Sequence, residues 1–77
     1  MKKVKIYLKT ALFALPEAGD NLPAGCMIME GEVEDKLSGG LIINATRYYN
    51  IRHKELSREP CRLFVPMGKI DHIRLLD

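Results

Sequence analysis

Apolar and polar residues alternate from the start of the chain. Val4, Ile6 and Leu8 stand against Lys3, Lys5, Tyr7 and Lys9. A period of two marks a strand with one buried face. The lysines suit solvent or an exposed edge, where they discourage stray pairing. From Thr10 to Leu15 the alternation degrades, with Leu12 keeping phase while Phe13 and Leu15 point the other way. A prolonged strand and a short helix both stay open there, because Ala and Leu are good helix formers. Phe13 and Leu15 would cap a barrel end or meet a neighbouring subunit. Pro16 ends the segment. Glu17 to Gly25, with Gly19-Asp20-Asn21, Pro23 and Gly25, reads as an exposed loop, long for a hairpin.

Cys26 to Glu34 predicts the second strand. Met27, Met29, Gly31 and Val33 share one face, and Glu30, Glu32 and Glu34 the other. A glycine inside a strand marks a bend or a close backbone approach, and a bent strand is what a small barrel needs. Asp35 to Gly40 reads as a hairpin turn, with Gly39 and Gly40 free to take positive φ. Leu41 to Tyr48 is the third strand. Tyr49 to Pro60 is polar and basic, either a turn of helix or a long hairpin tip. Cys61 to Val65 is the fourth strand, ended by Pro66, which cannot donate to a ladder. Met67-Gly68-Lys69 is a turn and Ile70 to Leu76 the fifth strand. A helix competes over 70–76, since Ile70, Ile73 and Leu76 also fit helical spacing. Five short strands and a bend glycine predict an all-β fold, a small, strongly bent five-stranded barrel occupying residues 1–77 as a single domain.

Size adds a constraint. A chain of 77 residues buries only about 60% of the surface it would expose unfolded, so assembly is a natural source of stability. Charged residues make up 29% of it, and no apolar run reaches the roughly 18–20 residues of a spanning helix. Lys5 and Lys9 break the opening segment, leaving Ala11 to Leu15, too short for the apolar core of an export signal. A cytoplasmic location is therefore expected, away from membranes. Cys26 and Cys61 show no metal-ligand spacing and are expected to be reduced and buried.

The net charge, +2, does not by itself announce a nucleic-acid partner, but its distribution is uneven. Glu30, Glu32, Glu34 and Asp35 are followed by Arg47, Arg52, Lys54, Arg58 and Arg62. The acidic face is the solvent side of the second strand, or a partner for a neighbour's basic hairpin. Ser38 and Ser57 lie in no nucleophile motif. His53 and His72 have no acid arranged for a triad, and no metal spacing is present. Neither an enzyme, a metal nor a cofactor is expected. The run Arg47-Tyr48-Tyr49-Asn50-Ile51-Arg52-His53-Lys54 interleaves bases with aromatics, which suits stacking on single-stranded bases. A solvated hairpin with a tyrosine packed on the barrel rim explains it as simply, and Glu55 and Glu59 dilute its charge. Met27, Met29 and Met67 read as core filling.

The closing segment resembles the Sm-like family of small barrels. Leu63-Phe64-Val65, Pro66-Met67-Gly68-Lys69 and Ile70-Asp71-His72-Ile73 follow that family's strand, turn and final strand without gaps, and Gly31 with Val33 is similar to its bent second strand. The likeness covers residues 26–77; a Src-homology-3-like barrel shares much of it. It implies a homo-oligomeric ring in which strand four of one copy meets strand five of the next, through Leu63, Phe64, Val65, Ile70, His72 and Ile73. It also implies that the turns at 35–40 and 66–69 converge at a pore, where Lys36, Met67, Gly68 and Lys69 would meet phosphates. With Arg47, Tyr48, Arg52 and Lys54 these form the candidate RNA-binding set. Three features depart from the pattern. Leu37-Ser38-Gly39-Gly40-Leu41 lacks the Asp and Asn of the RNA-binding branch, Pro66-Met67 stands where Arg-Gly is usual, and the N-terminal helix is missing. The expected function is a small oligomeric protein binding RNA or another polyanion. The alternative is a protein-interaction or structural module.

Overall fold

The structure is a computed structural model that describes residues 2–12, 14–16, 23–57 and 59–76. Eight strands form among them: β1 (Lys3–Leu8), β2 (Ala14–Pro16), β3 (Pro23–Gly25), β4 (Ile28–Leu37), β5 (Gly40–Tyr49), β6 (Glu55–Ser57), β7 (Cys61–Pro66) and β8 (Ile70–Leu75). The fold is all-β. A short 3-10 turn, Met67–Lys69, joins β7 to β8. No helix among the described residues is long and apolar enough to cross a membrane.

The five longer strands form one curled antiparallel half-barrel, ordered β7-β5-β4-β1-β8, with β6 sharing the edge of β5 that β7 occupies. Alternation in β1 sets its inner face. Val4 lies opposite Gly31 and Ile6 opposite Met29, and all the apolar members are buried. The concave side gathers Val4, Ile6, Met29, Ile43, Ala45 and Val65 into the core. Each such side chain contributes roughly 1.5–3 kcal/mol on full burial, alanine less.

Two bulges bend the sheet. The β4–β5 register shifts at Thr46, between the pairs Glu30–Arg47 and Gly31–Ala45, and again at Glu34, between Val33–Ile43 and Asp35–Ile42. An extra residue on one strand bends it and increases its twist. At the first bulge a Cβ on Gly31 would collide with the Asn44 carbonyl and the Ala45 Cα. Glycine there permits the close backbone approach.

Several expectations need correction. Ala14–Pro16 pairs with Pro23–Gly25, so a short hairpin replaces both the helix alternative and the end of the long loop. Phe13, residues 17–22 and the side chain of Leu15 lie outside the described residues. The 35–40 turn narrows to Ser38-Gly39, because β4 continues to Leu37 opposite Gly40. Positive φ is adopted by His53 (φ 64) rather than by either turn glycine. Gly40 answers a packing need instead, since a Cβ there would strike the Val65 carbonyl and the Phe64 ring. The 51–54 run is a turn, not a helix, and 70–75 is strand.

β7 ends on Pro66, which is its last residue and lies opposite Gly40. The Met67 amide donates to the Gly39 carbonyl at 2.9 Å. Antiparallel bonding alternates along a strand, so the missing Pro66 donor falls on the side away from β5. Cys61 is exposed, unlike buried Cys26. Met67 is 43% exposed rather than core filling.

Candidate functional site

Within one chain the turns at 35–40 and 66–69 lie side by side: Pro66 sits opposite Gly40, and the Met67–Gly39 hydrogen bond joins their tips. Their chemistry then divides. The Lys69 ammonium donates to the Ala11 carbonyl at 3.2 Å, and the Lys69 carbonyl accepts from the Lys9 amide at 2.7 Å. Lys69 is thus tied to the segment after β1. Gly68 faces open space, with nothing near a would-be Cβ. Lys36 and Met67 instead border one cleft on the concave side.

The 47–54 run divides as well. Tyr48 is 3% exposed, and its hydroxyl donates to the Ala45 carbonyl at 3.5 Å. Its ring belongs to the core and is not presented for base stacking. Burial pushes its phenol up to about 12. Arg47 and Tyr49 lie on the convex face. The Tyr49 hydroxyl donates to the Glu30 carboxylate at 3.0 Å, and Lys5 approaches the same carboxylate at 3.7 Å. Desolvation first, and that bond to Glu30 next, raise the Tyr49 pKa; the Tyr49 hydroxyl in turn raises that of Arg47. At the tip, Asn50 Oδ1 accepts from the Arg52 and Lys54 amides, each at 2.9 Å. That double acceptor holds the turn in which His53 takes its left-handed conformation. Arg52 and Lys54 are exposed on it.

A cluster not anticipated from sequence lies beside this run. Tyr7 stacks on His72, with ring centroids 4.3 Å apart and planes within 10°. His53 approaches Tyr7 at 6.0 Å and Tyr49 at 6.4 Å. Lys5 lies 5.2 Å from the Tyr49 ring centre, within cation–π range. The signal was present, since Tyr7 breaks the row of lysines on the outer phase of β1. Its partner emerges only once β8 is placed opposite β1 with Tyr7 facing His72. The acidic row is largely engaged within the chain. Arg62 Nε donates to Glu34 at 2.7 Å and Asn44 to the same carboxylate at 3.2 Å. The Arg62 hydrogen bond, with Asn44 second, holds the Glu34 carboxyl below its ordinary range.

Among the residues expected at a subunit contact, Val65 and Ile70 are buried in the core, while Leu63 and Ile73 pack against it. Phe64 is 46% exposed, and His72 is engaged with Tyr7 and with Asp71, whose carboxylate is 2.8 Å from His72 Nδ1. The backbone edges are the more available feature. Among the described residues, β7 pairs only with β5 and β8 only with β1. Leu76 N donates to the Lys3 carbonyl, so alternation directs the amides of Ile73 and Leu75 outward. On β7 the same reasoning directs the amides of Arg62 and Phe64 outward. No group of three His, Cys, Asp or Glu residues that could hold a metal occurs among the described residues.

Compared with known proteins, the chain matches no family model, no curated protein and no solved structure.

Proposed function

We propose that this chain is a subunit of a homo-oligomeric ring of the Sm-like kind that binds RNA or another polyanion weakly. The observation that carries this reading is the pair of unpaired edges, β7 and β8, at the two ends of one curled sheet. Pairing β7 of one copy with β8 of the next is a head-to-tail contact, which yields a ring when the rotation closes. The outward amides of Arg62 and Phe64 would donate to outward carbonyls of β8, and those of Ile73 and Leu75 would donate back to carbonyls of β7. Exposed Phe64, Leu75 and Leu76 would lose water in the same step. Symmetry would then repeat Lys36, Arg47 and Arg52 around the assembly and multiply a field that is weak in one copy.

Sedimentation tests assembly and oligonucleotide titration tests the ligand. A closed oligomer is expected, and a clean monomer at tens of micromolar would sink the ring. Short oligo-U and oligo-A should bind at low salt and weaken steeply as salt rises, because phosphate contacts release counterions. Lys36→Ala and Arg52→Ala should each weaken binding, and Lys69→Ala less, given its tie to Ala11.

A second reading, a protein-interaction module, is favoured by one observation. The candidate bases do not converge within a subunit: Lys69 meets residue 11, Lys36 borders the concave cleft and Arg47 lies on the convex face. An oligomer that binds neither oligonucleotide at low salt would select this second reading.

A further inference from the structure

The two ends of the half-barrel are finished differently. At one end, residues 9–12 fold across the core. Leu12 N donates to the Cys26 carbonyl at 3.2 Å, Lys9 N donates to the Lys69 carbonyl, and Leu12 packs against the buried cluster. The other end stays open as a cleft of about 590 Å³, within the roughly 300–1,000 Å³ of small-molecule sites. Its walls are Val4, Val33, Leu41, Ile73, Leu75 and Met67.

Among the described residues two more join the lining, Lys2 and Lys36, and no acid does. Both occupy inward positions in the strand phase. Lys2 stands two residues before Val4, and its carbonyl accepts from Val33 N at 3.0 Å. Lys36 is turned inward by the bulge at Glu34, which sets it opposite core residue Leu41. A cation on the core side of a strand is uncommon, and here two of them rim one apolar trough. Neither is ion-paired among the described residues.

We propose that this cleft binds a single-chain anionic amphiphile, a monomeric fatty carboxylate, with its alkyl chain in the trough and its head group between Lys2 and Lys36. Charge complementarity selects the class. The walls reward burial of methylenes, and the rim rewards a negative head while repelling a cationic one. Monomeric carboxylate rather than a bilayer is the committed source, because the cleft has the volume of a small-molecule site. The proposal does not rest on ring assembly or RNA binding, although the cleft shares Leu75 with the proposed ring contact and Lys36 with the RNA-binding set.

The test is calorimetric titration of the full chain with octanoate, decanoate and dodecanoate below their micelle concentrations, paired with methyl chemical shifts. Saturable binding of one molecule per chain is expected, tightening by up to about fourfold per added methylene. The shifts should centre on Val4, Val33, Leu41, Ile73 and Leu75. Lys2→Glu and Lys36→Glu should weaken dodecanoate by about threefold each, and roughly tenfold together. Both are exposed positions, and an unchanged melting temperature confirms intact folding. Dodecyltrimethylammonium should bind the native chain much more weakly, and the doubly reversed chain better. Equal affinity for the two amphiphiles, shifts centred elsewhere, or no saturable binding would each overturn the proposal. So would an oligomer in which a second copy shields the Met67 and Leu75 methyls and excludes dodecanoate.

Discussion

Cys26 and Tyr48 are the residues through which alkaline pH reaches the core. Burial raises the Cys26 thiol to about 11 and the Tyr48 phenol to about 12. Both side chains are close to fully enclosed, so the folded state favours their neutral, protonated forms. Between the ordinary and the raised values the native chain holds protons that the unfolded chain has released. Stability from this source is therefore complete below the ordinary thiol value, 9.0, and declines as pH rises through about 11 and 12. The urea midpoint should hold steady up to that ordinary value and fall beyond it. A Cys26→Ala chain, though less stable overall, should show a shallower decline, and an equal decline would remove the thiol from the explanation.

At the scale of elements, the two bulges decide which side chains do what. Strict alternation from Leu41, Ile43 and Ala45 would turn Arg47 and Tyr49 inward and Tyr48 out. The extra residue at Thr46 reverses this, sending Tyr48 to the core and Arg47 and Tyr49 to the convex face. The bulge at Glu34 likewise places Lys36 where alternation from Val33 would place Asp35. Gly31 makes the first bend possible, so Gly31→Ala should cost about 3 kcal/mol or more, because the colliding atoms are backbone and cannot rotate away. Gly68→Ala, facing open space, should stay within about 0.5 kcal/mol. Urea unfolding of the two variants reads the difference, and similar costs would mean that the strand bends without help from Gly31. The five long strands were legible because each carries its own alternation. The bulges were not, because they are set by how β4 and β5 fit together, and no residue type announces one at Thr46 or Glu34. That is why Tyr48 reads as a stacking residue in the sequence and proves to be core. It is also why the inward turn of Lys36 was invisible. The three-residue strands β2, β3 and β6 are too short to display a period. Pro66 ends its strand as the sequence suggests, but which side its missing donor faces is a property of register and not of sequence.

At the scale of the whole molecule, the same register argument makes the edges testable without disturbing the core. On β8 the amides alternate between two roles. Those in phase with Leu76, whose N donates to the Lys3 carbonyl, hold β8 to β1, and Arg74 is one of them. Those of Ile73 and Leu75 face the open edge. Proline at an outward position removes a donor that the single chain never uses, whereas proline at an inward position breaks a ladder bond and destabilises the strand. Pro66 already exemplifies the tolerated case on β7. Leu75→Pro should therefore leave the chain folded, since that side chain is 63% exposed, yet leave it monomeric in sedimentation if β8 is the docking edge. Arg74→Pro should instead lower stability by about 3 kcal/mol and act on assembly only through that loss. A Leu75→Pro chain that still forms the full oligomer would show that subunits do not join along β8. The exposed convex face, with Tyr7, Tyr49 and the two histidines, would then become the first surface to examine for the contact.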